Sequence, residues 1–330
     1  YKDRELIRSY IEFVRSFDPD IIVGYGSNRE DWQYLLERSR ILDTKLYLDR
    51  TESEPNTSTY GHISVTGRAN IDLLDFAEEF PEVKVKALEN IADYLGVMKL
   101  ERRILIEDID FPEYLDNPEK RPLLIQFAEE NAKCVMGIYD VVGDFAMQLS
   151  QLVWLPLDQI GRAATGFRVE SYLIRNAHNS AELIPARLER PYIPYAGGEV
   201  LQPKPGIHEN IAVLDFKSMY PNIMIEENIS PDTYVPASES QPQSGLNIAP
   251  EVNHRFRKEP PGLYKTVLSN LINARDETRT RLKDLDVNSV EYRVLDARQK
   301  AIKVITNACY GYAGWIGARW YIKPVAEATT

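Results

Sequence analysis

Cysteine is almost missing from this chain. Cys134 and Cys309 are the only two in 330 residues, they lie too far apart for a metal knuckle, and no histidine cluster accompanies them. A disulfide framework is not indicated, and a reducing, intracellular compartment is expected. Long apolar runs are missing as well. No stretch approaches the roughly 20 residues of a membrane-spanning helix. The opening YKDRELIRSY is charged and has no apolar core of a secretory signal, so no membrane partner is expected. Internal repeats and low-complexity tracts are absent too.

Positive charge is in short supply. The net charge is −11, which taken alone argues mildly against a nucleic-acid partner, because phosphate binding rests on Lys and Arg. The deficit is uneven, however. Between 275 and 283 stand Arg275, Arg279, Arg281 and Lys283 against only Asp276 and Glu277, and an acidic chain can hold a basic cleft because local fields outweigh the sum. Hydrophobic content of 44% and charged content of 27% are ordinary for a globular protein. The length suits about two domains, with ample core.

What is present begins as an alternation of helix and strand. Leu6, Ile7, Ile11 and Val14 predict an amphipathic helix over 3–16, broken at Asp18-Pro19. Ile21-Ile22-Val23 predicts a short buried strand ending at Gly24; 28–39 predicts a helix, 62–74 a strand passing into helix, and 87–95 a helix closed by Gly96. Such alternation points to α/β layers. Residues 112–122 predict a polar loop and 123–152 a long helix, punctuated by Pro156 and Gly161. Pro191, Pro194, Gly197, Gly198, Pro203, Pro205 and Gly206 then crowd together as in a linker or domain boundary. Residues 211–216 predict a strand, 236–250 a loop, and 264–283 with 291–308 an antiparallel helical hairpin.

The first chemical signal is Asp215, at the end of the apolar run Ile211-Ala212-Val213-Leu214 and before Lys217-Ser218-Met219-Tyr220-Pro221. An acid there can hold a divalent ion while the following backbone amides face a polyphosphate. A lone acid after a strand is more often a helix cap or surface turn. The second signal lies on the hairpin. Lys303, Asn307 and Tyr310 stand at i, i+4 and i+7, one helix face, and Gly311 is expected to end that helix. Arg275 and Arg279 share a face of the other helix. Three cations so arranged suit a triphosphate, although solvated i,i+4 charges are the commoner meaning of such spacing.

In their order along the chain these segments resemble the motifs of B-family DNA polymerases, with archaeal-type members the nearest look. LDFKSMYPNIMIEENISPDTY resembles the first polymerase motif, D-x-x-S-L-Y-P-S, with Met219 and Asn222 as departures. QKAIKVITNACYGYAGWIGARWY resembles the second, K-x-x-x-N-S-x-Y-G, with Ala308 for Ser; NARDETRTRLK resembles the opposing fingers helix, with Arg279 where Lys is commoner. PYAGGEV resembles the Y-x-G-G segment. The resemblance implies that Asp215, with the Phe216 carbonyl, holds two Mg²⁺ ions whose site is completed by residues outside this chain. It implies that Tyr220 excludes a 2′-OH, that Lys303, Arg275 and Arg279 bind the phosphates with Asn307 in support, and that Tyr310 lines the base-pair pocket. Tyr195, Gly197, Gly198 and Gly311 are implied to contact DNA.

The first half resembles the family's 3′–5′ exonuclease, with departures. Asp31 in DPDIIVGYGSNREDWQYLLERS holds the acid position of N-x-x-x-F-D, but Gly26 and Glu30 replace the Asn and Phe; GRANIDLLDF resembles the segment that follows. The Y-x-x-x-D motif is Phe127-Ala128-Glu129-Glu130-Asn131, so both chemical residues are changed. Phe cannot hydrogen-bond a water and Asn is a poor ligand for a hard cation. Glu130 is displaced about 100° around a helix from the lost acid and is not expected to rescue it.

The implied fold is a multidomain α/β and α+β protein: a ribonuclease-H-like exonuclease domain, then a partial palm with an antiparallel two-helix fingers insertion. The expected boundaries are an exonuclease-like domain at 1–150, a helical connector at 151–194, the first part of the palm at 195–250, fingers at 251–309 and a return to the palm at 310–330. A D-x-E motif before Tyr1 and a D-T-D motif after Thr330 are expected of the family, so the chain alone is expected not to extend primers, as a fragment or one subunit of a split enzyme. Primer–template DNA and dNTPs are the expected partners, with a sliding clamp or second polymerase subunit beside them, in the nucleoid. A 3′–5′ exonuclease and a non-catalytic DNA-binding subunit are the rival functions. The changes at Phe127 and Asn131 weigh against the first, and the retained Asp215 and Lys303 against the second.

Overall fold

The computed structural model describes residues 2–58, 61–180 and 182–330. The chain divides into two compact units, 1–150 with 155–163, and 151–154 with 164–330.

The first unit opens with helix α1 (Lys2–Phe17), strand β1 (Ile21–Gly24) and helix α2 (Asp31–Ile41). Short strands β2 (Asn56–Thr57) and β3 (Ile63–Ser64) pair antiparallel, and β4 (Ala69–Asp72) lies parallel to β1 with Ile21 opposite Ala69 and Gly24 opposite Asp72. β1 is half-buried along its length rather than buried. The buried side of α1, Ile7 and Val14, packs with Trp32, Leu46, Leu48, Ile63 and Val65 into one core, each such side chain contributing roughly 1.5–3 kcal/mol by leaving water. The start of α2 falls later than the sequence predicts, because Asp72 gathers the chain before it. Its carboxylate accepts from the backbone N–H groups of Gly26 (2.7 Å), Asn28 (2.9 Å) and Leu74 (3.1 Å), holding 26–30 as a turn. Helix α3 (Leu88–Tyr94) follows, with Gly96 in the left-handed region at φ +72° just beyond it.

Residues 112–122 are not a plain loop. Helix α4 (Phe111–Asp116) carries Pro112 in its first turn, where a missing N–H costs nothing, and the long helix α5 (Arg121–Val153) begins soon after. Both cysteines are free and buried. Among the described residues no helix is long and apolar enough to cross a membrane.

The second unit contains helix α6 (Thr165–Asn179), helix α7 (Met219–Glu226), and a three-stranded antiparallel sheet of β5 (Tyr234–Val235), β6 (Leu246–Ile248) and β7 (Arg255–Arg257), with β7 in the middle. Helices α8 (Leu263–Leu282), α9 (Val290–Ala313) and α10 (Lys323–Thr329) complete it. The expected strand at 211–216 is absent. These residues are exposed and irregular, Leu214 to 92%. An apolar run becomes a strand only when its backbone groups find a partner, and no described strand pairs with this one.

A buried carboxylate ties α6 to the end of α9. Glu170, only 1% exposed, accepts from the Tyr312 hydroxyl (3.0 Å) and the Arg319 N–H (3.1 Å) and forms an ion pair with Arg187. Burial pushes its pKa up, but the bonds from Arg187, Arg319 and Tyr312 outweigh that and hold it below the ordinary glutamate range.

Candidate functional site

The segment after α7 fixes the base of the hairpin. Asn228, Ser230 and Asp232 meet the unpaired N–H groups at the start of α8. Gly262 N–H donates to Asn228 Oδ1 (2.8 Å), Leu263 N–H to the Asp232 carboxylate (3.0 and 3.2 Å), and Tyr264 N–H to Ser230 Oγ (3.3 Å). Helix starts need such acceptors. The tail of the first polymerase-like motif thus anchors the helix that carries Arg275. The sequence marked that tail as part of a motif but not as a capping device.

Helices α8 and α9 run antiparallel. Arg281 pairs with Glu291 (3.1 Å), and Arg275 Nε donates to Gln299 Oε1 (3.2 Å), so positions fall on one helix as they rise on the other. Farther along the pair, Ile272 and Arg275 of α8 and Lys303, Thr306 and Asn307 of α9 line a narrow cleft of about 10 Å³, closed by Lys217, Ser218 and Asp276. Ser218 caps α7 in the left-handed conformation (φ 50°, ψ 49°), at a cost of about 1–2 kcal/mol for a non-glycine residue. Next to it, Lys217 Nζ lies 2.9 and 3.2 Å from the Asp276 carboxylate oxygens. Hydrogen bonding to Lys217 holds the Asp276 carboxyl below its ordinary range, and the charges of Lys217, Arg279 and Arg275 add to this. Burial and the charge of Arg279 draw the Arg275 guanidinium down.

Of the three predicted cations, Arg275 and Lys303 therefore meet at the cleft, together with Asn307. Arg279 is exposed one turn beyond and does not line it. Lys217 and Asp276 line it as well. Both lie within the motif-like segments, but nothing in their spacing marks them as cleft residues.

Beside the cleft three tyrosines gather. The Tyr220 and Tyr310 rings stack, with centroids 4.3 Å apart at 23°. Burial, and then a hydrogen bond to Tyr195, raise the Tyr310 phenol above its ordinary range. Two glycines make room for this group. A Cβ on Gly198 would stand 3.1 Å from the Tyr220 hydroxyl, and one on Gly314 would stand 2.5 Å from the Tyr195 hydroxyl. Gly314, not Gly311, closes α9. Gly311 lies inside the helix with open space where a side chain would be, as does Gly197 in its loop, so neither glycine is explained by packing.

Asp215 and Phe216 are exposed. Among the described residues no three His, Cys, Asp or Glu side chains group in a way that could hold a metal ion. In the first unit, Asp31 begins α2, and burial, then the charges of Glu30 and Asp72, raise its pKa. Phe127 packs edge-on against Phe111 at 5.8 Å. Asn131 accepts a hydrogen bond from Arg103. Glu130 accepts from the Ile104 N–H (2.9 Å) and from Gln126 (2.9 Å), so its carboxylate is taken up in holding the chain before α4.

Two family models match the chain: DNA polymerase family B over residues 155–330, and the exonuclease domain of the same family over residues 1–91. The chain is 50% identical to DNA polymerase 2 of Aeropyrum pernix and 40% identical to a DNA polymerase of Archaeoglobus fulgidus, covering in each case 99% of this chain and 41% of the relative. It thus spans about two fifths of the length of these relatives. The solved family B DNA polymerase from the hyperthermophilic archaeon Pyrobaculum calidifontis superposes with a TM-score of 0.90 at 49% identity, over 98% of this chain and 43% of that one. A cationic cleft framed by the polymerase-like motifs, a family match over more than half the sequence and this agreement in fold together mean that the chain belongs to DNA polymerase family B.

Proposed function

We propose that this chain carries the nucleotide-binding part of a template-directed DNA polymerase, joined to an exonuclease-like unit that does not proofread. The observation that carries this reading is the convergence of Arg275 from α8 with Lys303 and Asn307 from α9 at one cleft, beside the stacked Tyr220 and Tyr310. Guanidinium and ammonium groups suit the oxygens of a triphosphate. Arg279 adds long-range positive potential, and Asn307 supplies a neutral amide. The Tyr220 ring lies under the sugar in this reading and Tyr310 beside the nascent base pair. Tyr195, Gly197, Gly198 and Gly311 face DNA, the glycines because a backbone without Cβ lets a phosphate approach.

Nucleotidyl transfer in this reading uses Mg²⁺. Asp215 has the chemistry of a hard-cation ligand, but it stands without the two further ligands a site needs among the described residues. The loss of proofreading is supported by Phe127 and Asn131, which are engaged with Phe111 and Arg103, and by the commitment of Glu130 to Ile104 and Gln126.

Equilibrium binding tests the nucleotide site without turnover. The 330-residue chain should bind dATP and inorganic tripolyphosphate, and Lys303→Met should weaken both by about tenfold, the scale of one charge-assisted contact. Unchanged affinity in a folded Lys303→Met chain would remove the reading.

A further inference from the structure

We infer that Lys217 is a further phosphate-binding side chain of the cleft, and that Asp276 is the internal carboxylate a phosphate displaces from it. The inference rests on the nucleotide-binding reading above and adds to it a contact from outside the helical hairpin.

The cleft holds three cations, Lys217, Arg275 and Lys303, and one anion, Asp276. They come from three different elements: the turn before α7, α8 and α9. Asp276 sits among Lys217, Arg275 and Arg279, and all three favour its ionised form. It therefore does for this cleft what a bound anion would do, neutralising part of a concentrated positive field. The cleft, about 10 Å³, is closed by the Lys217–Asp276 pair, so a polyphosphate docks at its mouth beside Arg275 and Lys303, brings more negative charge than one carboxylate and repels it.

The exchange is easy because the pair it breaks is weak. The Lys217 and Asp276 side chains are 60% and 47% exposed, and exposed ion pairs contribute little to stability. Lysine is also suited to change partners. Its ammonium is a point charge on a flexible stem, whereas a guanidinium fork demands a fixed plane. Asn222 Nδ2 donates to the Lys217 carbonyl (2.7 Å), which holds its backbone while the side chain stands exposed.

Opposite signs follow for the two partners, which a merely structural latch does not give. Lys217→Met should weaken tripolyphosphate binding by about fivefold, and Lys217→Arg should restore most of it. Asp276→Asn should tighten binding by about threefold, since it removes the competing anion and spares the cations. Both side chains are exposed, so thermal melts should match the parent chain.

Isothermal titration of the intact 330-residue chain with sodium tripolyphosphate reads all of these. Weakening in both Lys217→Met and Asp276→Asn, or no change in either, overturns the inference and makes the pair a structural latch. A parent-like Lys217→Met beside a weakened Lys303→Met removes Lys217 alone and leaves the nucleotide site standing. No binding by the parent chain, or an unaffected Lys303→Met, removes both.

Discussion

Replacing Tyr220 by alanine sets two effects of one ring against each other. Tyr220 is half-buried and its main partner is the stacked ring of Tyr310, 4.3 Å away. Such a stack is worth about 0.5–1.5 kcal/mol, whereas truncating an aromatic in a closed core costs about 3–5 kcal/mol. For a unit of this size each kcal/mol moves the melting temperature by about 2–4 °C. Tyr220→Ala should therefore lower Tm by only a few degrees. Its effect on sugar choice should be much larger. Forcing one extra group against a packed ring costs about 1–3 kcal/mol, so removing the ring should raise ribonucleotide use relative to deoxynucleotide use by about 5- to 150-fold. Tyr220→Phe keeps the ring and should keep the selectivity; it gives up only the hydroxyl that sits against Gly198. The assay is competitive incorporation of an rNTP and its dNTP by the full-length polymerase carrying each variant, with melts of the same preparations. An unchanged ratio in a well-folded Tyr220→Ala enzyme would refute the placement of Tyr220 under the sugar. A loss of both activities alongside a drop in Tm of about 10 °C would make it a core residue instead.

Three further outcomes are expected. The full-length polymerase should fail to trim a mismatched primer in Mg²⁺; rapid 3′ trimming that disappears with Asp31→Ala would show the exonuclease-like unit to be active. Asn228→Ala should destabilise the second unit by about 2–4 kcal/mol, read by urea unfolding. It orphans the Gly262 N–H and the carbonyls of Arg257 and Pro260, which a buried Asn228 side chain now satisfies, and an unchanged midpoint would show that α8 does not depend on this anchor. The Glu170 carboxyl is held below its ordinary range, so its contribution is complete above the unfolded value of about 4.3 and is lost as pH falls through the folded value. Stability should therefore decline more steeply below about pH 4 in the parent chain than in Glu170→Gln, and parallel curves would remove the claim.

Helix signals were the most legible part of the fold. Leu6, Ile7, Ile11 and Val14 repeat at helical spacing and α1 forms where they do. The hairpin pair was equally plain, because α8 and α9 are long and the turn between them is polar. Strand signals failed where their cause is not local. Ile211 to Leu214 have the composition of a strand, but pairing depends on a neighbour that composition does not contain. Glycine was ambiguous for a related reason. Gly311 and Gly314 follow the same helical pattern, and only the position of the Tyr195 hydroxyl decides which one the fold requires. At the site, Lys303, Asn307 and Arg275 were legible as faces of helices, since 3.6-residue geometry fixes what shares a face. Arg279 shares a helix face with Arg275 but stands exposed one turn farther on, outside the residues that line the cleft. Lys217 and Asp276 stand 59 residues apart in sequence, so nothing in local spacing pairs them.

An acidic chain with the proposed nucleotide site is not a contradiction once distance is counted. At physiological salt a charge is largely screened beyond about 8 Å, so a phosphate in the cleft responds chiefly to the groups that line or border it, Lys217, Arg275, Asp276, Arg279 and Lys303 among them, and little to acids on distant parts of the chain. Many of those acids are already engaged. Glu170 is buried among Arg187, Arg319 and Tyr312, Asp232 holds the start of α8, and Asp72 gathers three backbone N–H groups. In each case the negative charge is spent on closing the fold, and the cations that matter for a ligand face the cleft. Among the described residues Asp276 is the one acid that lines it, and its removal should sharpen binding because its carboxylate holds Lys217 there.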